Sequence, residues 1–361
     1  MIRGRGLEGY FMVAGGLKEA LLIRKRDTID LARRRFFLRP EQVRLTRGPT
    51  RRVAAVFNPA VEVVGGELRV YARIEVGYYS YASVIGFLNL DLADVLGRGF
   101  DGVVDTEPII IPGDWVDFWG AEDPRLSYVG GEKLLVYTGR TIFYMTGEKA
   151  PGRTYPVIAS EGGERGWVKR GYIALARERS QLVVSDKNAF LVEAGGRVLA
   201  FHRVHDMTGR FHLLASTVSW PPEGGGLARV EALESWIVME ASPFEDKVGW
   251  ATPVFGYKGR RGEVLTLLHG VEAETLKYKA FAALVNVEGE PRLVAVTPRY
   301  IMEPREPEEQ FGDRPQTIYP CGAWLVDDQV LVSYGAGDMA AGFATIDLSA
   351  LEEELDRGRI E

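Results

Sequence analysis

The sequence contains very little cysteine, since Cys321 is the single one among 361 residues. One cysteine excludes a disulfide framework and a metal centre built from several thiolates. Long hydrophobic runs are also missing, and the start, Met1-Ile2-Arg3-Gly4-Arg5, is not followed by the apolar stretch of a signal peptide. A basic surplus is lacking as well, because the formal net charge is −6. We therefore expect a cytoplasmic protein with neither nucleic acid nor a membrane as a partner.

Glycine is abundant, with 42 residues beside 18 prolines, which is typical of a chain with many tight turns. Five segments share one pattern: a short apolar strand, a turn that contains Gly or Asp, and a second apolar strand. Successive segments start 65, 65, 64 and 69 residues apart, at Asn58, Asp123, Asn188, Thr252 and Cys321. Each segment therefore predicts a β-hairpin.

A third apolar run follows most of these hairpins, at residues 83–91, 211–218, 278–287 and 342–347. Three or more strands per unit, repeated five times, are typical of a β-propeller. We therefore predict an all-β fold, a five-bladed β-propeller, in which residues 51–361 form a single domain and residues 1–50 an N-terminal extension. Helical patterns are confined to residues 17–35 and 348–355, and residues 141–180 read as an irregular insertion.

The innermost strands of a propeller border its central channel, so equivalent residues of different blades converge there. The five segment starts are expected at this place. The ends of the second strands add further polar side chains, namely Arg73, Arg140, Arg203, His269 and Asp338. Such a ring could form a concave site, or its members could only hydrogen-bond one blade to the next.

A series of short motifs gives this pattern a resemblance. In order, they are Phe57-Asn58-Pro59-Ala60, Glu122-Asp123-Pro124-Arg125, Asp186-Lys187-Asn188-Ala189, Lys247-Val248-Gly249, His269-Gly270, Tyr319-Pro320-Cys321-Gly322 and Tyr334-Gly335-Ala336-Gly337-Asp338. The series resembles glycoside hydrolase family 130, the β-mannoside phosphorylases and related β-mannosidases, over about residues 50 to 348. The family's fold is a five-bladed propeller, in agreement with the repeat count.

The resemblance implies that Asp123 is the general acid, whose proton travels through a hydroxyl of the mannosyl ring. An acid in this role is expected to have a raised pKa, through partial burial or through Glu122. The resemblance also implies two sets of binding residues. Those for phosphate are Arg73, Lys187, Asn188, Lys247 and His269, and those for the sugar are Asn58, Asp338, Arg125 and Arg203.

Each of these residues also has a purely structural interpretation. Asp123 could cap a turn before Pro124, and Lys187 could pair with Asp186. Arg73 could pair with Glu75 or Glu62, Lys247 could be an exposed charge, and His269 could be a core histidine. No metal is expected, because His202 and His205 fall on opposite faces of one strand. No cofactor motif is visible either.

Four cationic candidates and an amide, without a carboxylate among them, favour phosphate as the nucleophile over activated water. We therefore expect an inverting β-mannoside phosphorylase that converts a β-mannoside and phosphate to α-mannose 1-phosphate. A phosphate-independent β-mannosidase and a non-catalytic glycan-binding propeller are the alternatives. The N-terminal residues could cover the aglycone side of the cleft or form a contact in a homo-oligomer.

Overall fold

The computed structural model describes residues 6–77, 81–143, 150–162, 166–222 and 226–360, and strands dominate all of these segments. The N-terminal part comprises a 3-10 turn (Glu8–Tyr10), β1 (Met12–Val13), α1 (Leu17–Ile23), β2 (Ala32–Leu38), a second 3-10 turn (Pro40–Gln42) and β3 (Val43–Leu45). Within the described residues, no helix is long and apolar enough to cross a membrane.

Most of the remaining strands follow one another in antiparallel meanders. The first meander consists of β4 (Ala55–Val64), β5 (Glu67–Glu75), β6 (Ser83–Asp91) and β7 (Val104–Ile110), with a π-helical turn at Asp94–Arg98 between β6 and β7. The second meander consists of β8 (Gly120–Val129), β9 (Glu132–Arg140), β10 (Thr154–Glu161) and β11 (Trp167–Leu175). After α2 (Arg177–Ser180), the third meander consists of β12 (Val183–Ala194), β13 (Arg197–Asp206), β14 (Phe211–Val218) and β15 (Ala228–Met239). The fourth meander consists of β16 (Glu245–Pro253), β17 (Glu263–Glu272), β18 (Tyr278–Asn286) and β19 (Arg292–Val296). The chain ends with α3 (Pro307–Gln310), β20 (Ile318–Val326), β21 (Gln329–Ala336), β22 (Ala340–Asp347) and α4 (Leu348–Arg357).

The sheets also contain pairings between strands that are distant in sequence. Strand β2 pairs with β22, so the N-terminal segment supplies the outer strand of the last meander. Strand β3 adds in parallel to β7, and β11 pairs in parallel with β15, which joins the second and third meanders into one sheet. Residues 1–50 therefore contribute strands to the same sheets as the repeated units.

The first strand of each meander lies at the centre of the molecule. Contacts join β4 to β8, β8 to β12, β12 to β16, β16 to β20, and β20 back to β4. All five strands have a register shift opposite their hairpin partner, which is a β-bulge. In three of them the bulge holds a left-handed residue, with φ of 49° at Asn58, 50° at Asp123 and 58° at Asn188. Left-handed backbone at a non-glycine residue is costly and concentrates at functional sites.

The hairpin turns and the core explain why these segments fold as strands. Gly65 and Gly66 have φ of 59° and 88°, as a two-residue type I′ turn requires. Between the third and fourth units, Phe190 stacks on Phe201 at 4.9 Å and Trp250 packs edge-on to Phe201 at 5.0 Å. All three side chains are fully buried. Aromatic packing of this kind holds neighbouring sheets together.

Several sequence predictions are confirmed and two are wrong. The runs at 83–91 and 211–218 coincide with β6 and β14, and the C-terminal helix forms as α4, which begins where Asp347 accepts the Ala350 amide at 3.0 Å. The predicted helix over 17–35 ends at Ile23, because residues 32–35 pair with β22. The predicted irregular insertion at 141–180 contains β10 and β11, which complete the second meander; its residues 144–149 and 163–165 lie outside the described residues.

Candidate active site

Residues of four of the five first strands, β4, β8, β12 and β20, line a cavity of about 310 Å³. Seven of the ten predicted site residues line it, namely Asn58, Arg73, Asp123, Lys187, Arg203, His269 and Asp338. The bulges and the ends of the hairpin strands bring these side chains together from distant parts of the sequence. Asn188, Arg125 and Lys247 do not line the cavity, although all three lie near residues that do.

Asp123 lies in the bulge of β8 and is buried, with 5% of its surface exposed. Its Oδ1 accepts hydrogen bonds from Asn58 Nδ2 at 2.7 Å and from Arg73 Nη1 at 3.2 Å. Burial alone would raise the pKa of this carboxyl, but Arg73, Arg125 and Lys187 outweigh burial and hold the pKa below its usual range. The expectation of a raised pKa at Asp123 is therefore wrong.

Arg73 is surrounded by carboxylates. It donates to Glu75 from Nε at 2.8 Å and from Nη2 at 2.6 Å, and it forms ion pairs at 3.2 Å with both Glu122 and Asp123. Its guanidinium lies 4.7 Å from the centre of the Phe57 ring. The pairing with Glu75 that the sequence left open is thus present. Arg73 stabilises the ionised form of Asp123 and has few donors left for another anion.

Two further cations line the cavity, on β12 and β13. Lys187 and Arg203 face each other across β12 and β13, and neither forms an ion pair with a carboxylate among the described residues. Burial and the neighbouring Arg203 lower the pKa of Lys187 to about 8, and burial lowers the pKa of Arg203. Lys187 does not pair with Asp186, which hydrogen-bonds His202 at 2.8 Å instead. Buried cations without a partner are costly, and a bound anion would relieve that cost.

His269 lines the cavity together with Lys187 and Arg203. It is fully buried, and burial together with Arg203 holds its pKa well below the usual value, so the ring is neutral. Its ring packs on Tyr319 at 4.5 Å between centres, and neither ring nitrogen has a hydrogen-bond partner among the described atoms. A core histidine without partners is unusual, because buried polar groups are normally satisfied. A neutral imidazole can donate one hydrogen bond to an oxyanion.

Two further cationic or amide groups surround this region. Lys247 Nζ lies 5.7 Å from the centre of the Phe211 ring, and the Arg203 guanidinium lies 5.1 Å from the same ring. Asn188 accepts a hydrogen bond from the Tyr319 hydroxyl, while its Nδ2 has no partner among the described atoms. The cationic cluster of Lys187, Arg203 and Lys247, with His269 and Asn188, therefore has several donors available to an anion.

Gly249 permits the close packing of this cluster. A Cβ atom at this position would lie 2.4 Å from His269 Nε2 and 2.5 Å from Asn188 Nδ2. Such distances are well inside van der Waals contact, so any larger residue would displace one of these two groups. The glycine in the Lys247-Val248-Gly249 motif is thus needed for space.

Arg125 stabilises the backbone around Asp123 through buried hydrogen bonds. It donates to the backbone carbonyl of Asp123 at 2.9 Å, to that of Trp250 at 3.3 Å, and to the Tyr319 hydroxyl at 3.3 Å. Its side chain is fully buried. These contacts fix the bulge of β8 against β16, and they make Arg125 a bracing residue that does not reach the cavity.

Asp338 interacts with residues that the sequence did not single out. Arg314 donates to Asp338 Oδ2 at 3.1 Å and to the Tyr278 hydroxyl at 3.0 Å. Burial raises the pKa of Asp338 despite Arg314. Across the opening, the Tyr81 hydroxyl donates to Asp313 at 2.5 Å. Tyr319 could have been found from the sequence, because it begins the motif Tyr319-Pro320-Cys321-Gly322. Arg314 and Asp313 lie in the loop between α3 and β20, which has no sequence pattern.

An all-β fold whose central cavity combines a buried carboxylic acid with Lys187 and Arg203, which form no ion pair among the described residues, suits an enzyme that acts on a polar substrate together with an anion. Residues 22–356 match the family described as beta-1,4-mannooligosaccharide phosphorylase. The chain belongs to this family, glycoside hydrolase family 130, and the resemblance seen in the sequence is confirmed.

Individual relatives are distant but similar over most of their length. The beta-1,2-mannobiose phosphorylase of Thermoanaerobacter sp. (strain X514) is 22% identical over 306 residues, which cover 81% of this chain and 90% of the relative. The 1,2-beta-oligomannan phosphorylase of the same organism is 21% identical over 309 residues, or 83% and 92% of the two chains. The solved beta-1,2-mannobiose phosphorylase of Listeria innocua, in complex with beta-1,2-mannobiose, superposes with a TM-score of 0.67 at 16% identity and covers 90% of this chain and 97% of its own. This likeness shows a shared all-β fold.

Proposed function

We propose that the protein is an inverting β-mannoside phosphorylase, which transfers a mannosyl unit from mannobiose or a manno-oligosaccharide to phosphate. The observation that carries the proposal is the cationic cluster of Lys187, Arg203 and Lys247, in which the one ion pair among the described residues joins Lys247 to Asp246 at 3.5 Å. Family membership and the phosphorylases among the relatives support the same activity. Phosphate is the co-substrate, and the proposal includes no cofactor.

The reaction follows from the two sides of the cavity. A phosphate oxygen attacks the anomeric carbon from the side of the cationic cluster, while the bond from that carbon to the aglycone oxygen breaks. The aglycone oxygen receives a proton that comes from Asp123, directly or through a sugar hydroxyl. Attack opposite the leaving group inverts the β-linkage, so the product is α-mannose 1-phosphate. Asn58 and Asp338 hydrogen-bond the mannosyl hydroxyls.

The lowered pKa of Asp123 is compatible with this role. A phosphate anion on Lys187 and Arg203 adds negative charge where Asp123 otherwise interacts with cations. Like charge nearby disfavours the ionised carboxylate and raises its pKa. Occupation of the anion site thus prepares the acid, and Arg73 keeps Asp123 in position through the 3.2 Å contact.

We also propose that the repeated meanders are the five blades of one propeller. The closed series of contacts from β4 through β8, β12, β16 and β20 supports this arrangement. In this arrangement one first strand of each blade lies around a common centre, and β2 completes the last blade by pairing with β22.

Hydrolysis is the enzymatic alternative and would require a carboxylate to activate water. Glu75 and Glu122 share Arg73 with Asp123 and lie within 3.2 Å of its guanidinium, and Asp338 is held by Arg314 at 3.1 Å. An acid held by an ion pair is a poor base, which favours phosphorolysis. The test is the initial rate with β-1,2- or β-1,4-mannobiose as phosphate is increased from zero. A phosphorylase gives a rate that saturates with phosphate and vanishes without it, whereas a hydrolase releases mannose at a constant rate.

A further inference from the structure

A row of aromatic side chains leads from the cavity to the protein surface. Phe143 lines the cavity, and the Trp119 ring lies 5.2 Å from it at an angle of 31°. The Phe118 ring follows at 5.7 Å from Trp119, and 65% of Phe118 is exposed. Trp115, which is 56% exposed, lies three residues earlier in the same turn. We call these four residues the aromatic ridge.

The turn that carries the ridge is firmly held. The Asp117 amide bonds to the Asp114 carbonyl at 3.1 Å, and the Gly120 amide bonds to the Asp117 carbonyl at 2.8 Å. Both bonds span three residues, so the segment that carries Trp115 and Phe118 is held by a backbone bond on each side of Asp117. The buried Asp117 carboxylate also accepts the Tyr137 hydroxyl at 2.7 Å and pairs with Lys169 at 2.7 Å.

Trp115 is fixed despite its exposure. Its ring packs edge-on to Tyr155 at 5.6 Å and to Tyr172 at 5.1 Å. The polar surroundings include Lys169, which pairs with Asp114 at 3.0 Å. A contiguous patch of exposed aromatic rings is typical of a binding surface, and rigid rings bind at a low cost in conformational entropy.

We propose that the aromatic ridge binds the acceptor end of β-manno-oligosaccharides longer than a disaccharide. This inference rests on the proposed function, because the cavity has to hold the mannosyl unit that is transferred. The ridge is continuous with the cavity through Phe143, so a glycan that leaves the cavity on this side runs over Trp119, Phe118 and Trp115. Sugar rings present apolar C–H faces and hydroxyl edges, which fit aromatic rings interspersed with charged groups.

The test compares chain lengths in the phosphorolysis assay. The value of kcat/KM is measured with mannobiose and with mannopentaose of the same linkage, for the wild type, Trp115→Ala and Phe118→Ala. Leu22→Ala is the control, because Leu22 is 87% exposed on α1, outside the ridge. We expect the wild type to prefer the pentaose, and each ridge variant to lower the pentaose-to-mannobiose ratio about 3- to 10-fold. The control keeps the wild-type ratio.

Other results would overturn the inference. An unchanged pentaose-to-mannobiose ratio in both ridge variants contradicts the inference. If sedimentation also shows that these variants form smaller oligomers than the wild type while the ratio stays the same, the ridge is a contact between copies of this chain. If the wild type phosphorolyses neither substrate, the proposed function fails. Mannopentaose binding, measured by calorimetry, then decides about the ridge: weaker binding in Trp115→Ala supports it, and equal binding refutes it.

Discussion

Asn58 and Asp123 are 65 residues apart in sequence, yet Nδ2 of Asn58 donates a 2.7 Å hydrogen bond to Oδ1 of Asp123. Both residues occupy the bulge of the first strand of their units, and both have left-handed backbone, with φ of 49° and 50°. The repeat thus places an amide next to the acid by using the same local geometry twice. A left-handed residue at the bulge turns its side chain out of the regular alternation of the strand.

Asp123→Asn tests the assignment of the general acid. The amide cannot supply the proton, so kcat for phosphorolysis should fall about 10²- to 10⁴-fold, while the sugar still binds. Steady-state kinetics with mannobiose and calorimetric titration of the variant measure the two effects. Retention of near wild-type kcat would assign the proton to another group, and it would remove the role proposed for Asp123.

Gly249→Ala tests the close packing in the anion site. The new Cβ would lie within 2.5 Å of His269 and Asn188, so one of these groups has to move. We expect KM for phosphate to rise about tenfold, in line with the cost of about 1–3 kcal/mol for overpacking a tight site. Gly289→Ala is the matched control, since a Cβ at Gly289 meets no atom within 4 Å. Equal KM values for phosphate in the two variants would contradict the proposed anion site.

The pH dependence of phosphate use tests Lys187. Burial and Arg203 lower its pKa to about 8, so the ammonium group loses its proton as the pH rises through this value. Inorganic phosphate is already a dianion above pH 8, and the loss of a positive charge then weakens its binding. We predict that kcat/KM for phosphate falls above pH 8 in the wild type.

Lys187→Arg provides the comparison, because a guanidinium keeps its charge over this whole range. The fall above pH 8 should be absent in this variant, whatever its absolute rate. A second comparison is Lys258→Ala, which removes an exposed lysine and should keep the wild-type pH profile. An identical inflection near pH 8 in Lys187→Arg would show that another group titrates.

The strands around the site could be predicted because their sequence is periodic. The hairpin spacing of 64 to 69 residues placed Asn58, Asp123 and Asn188 at equivalent bulges. The strand at residues 32–38 was missed, since it pairs with β22, which is more than 300 positions away. No local pattern encodes a pairing of that kind, and its three consecutive arginines fitted a helix as well as a strand.

The site residues could be predicted in type but not in their contacts. The family resemblance implied that Arg73 binds phosphate, and in the structure its donors contact Glu75, Glu122 and Asp123. Glu75 could be predicted as a partner of Arg73 because it is two residues away in the sequence. Its other two partners, Glu122 and Asp123, lie on β8 and are brought to Arg73 only by the fold. Conversely, the loop with Arg314 carries no motif, and its contact with Asp338 depends on how that loop folds over the cavity. The ion-pair partners of Arg73 and Asp338 therefore depend on which strands and loops the fold brings together, and sequence spacing alone does not predict them.

The central claim is that the cationic cluster of Lys187, Arg203 and Lys247 holds phosphate as the nucleophile opposite Asp123. The most direct measurement follows mannobiose turnover by phosphorus and proton NMR, with one equivalent of phosphate and in phosphate-free buffer. We predict that α-mannose 1-phosphate appears at the rate at which mannobiose disappears, and that the phosphate-free sample does not react. Free mannose formed at equal rates in both samples would contradict this account.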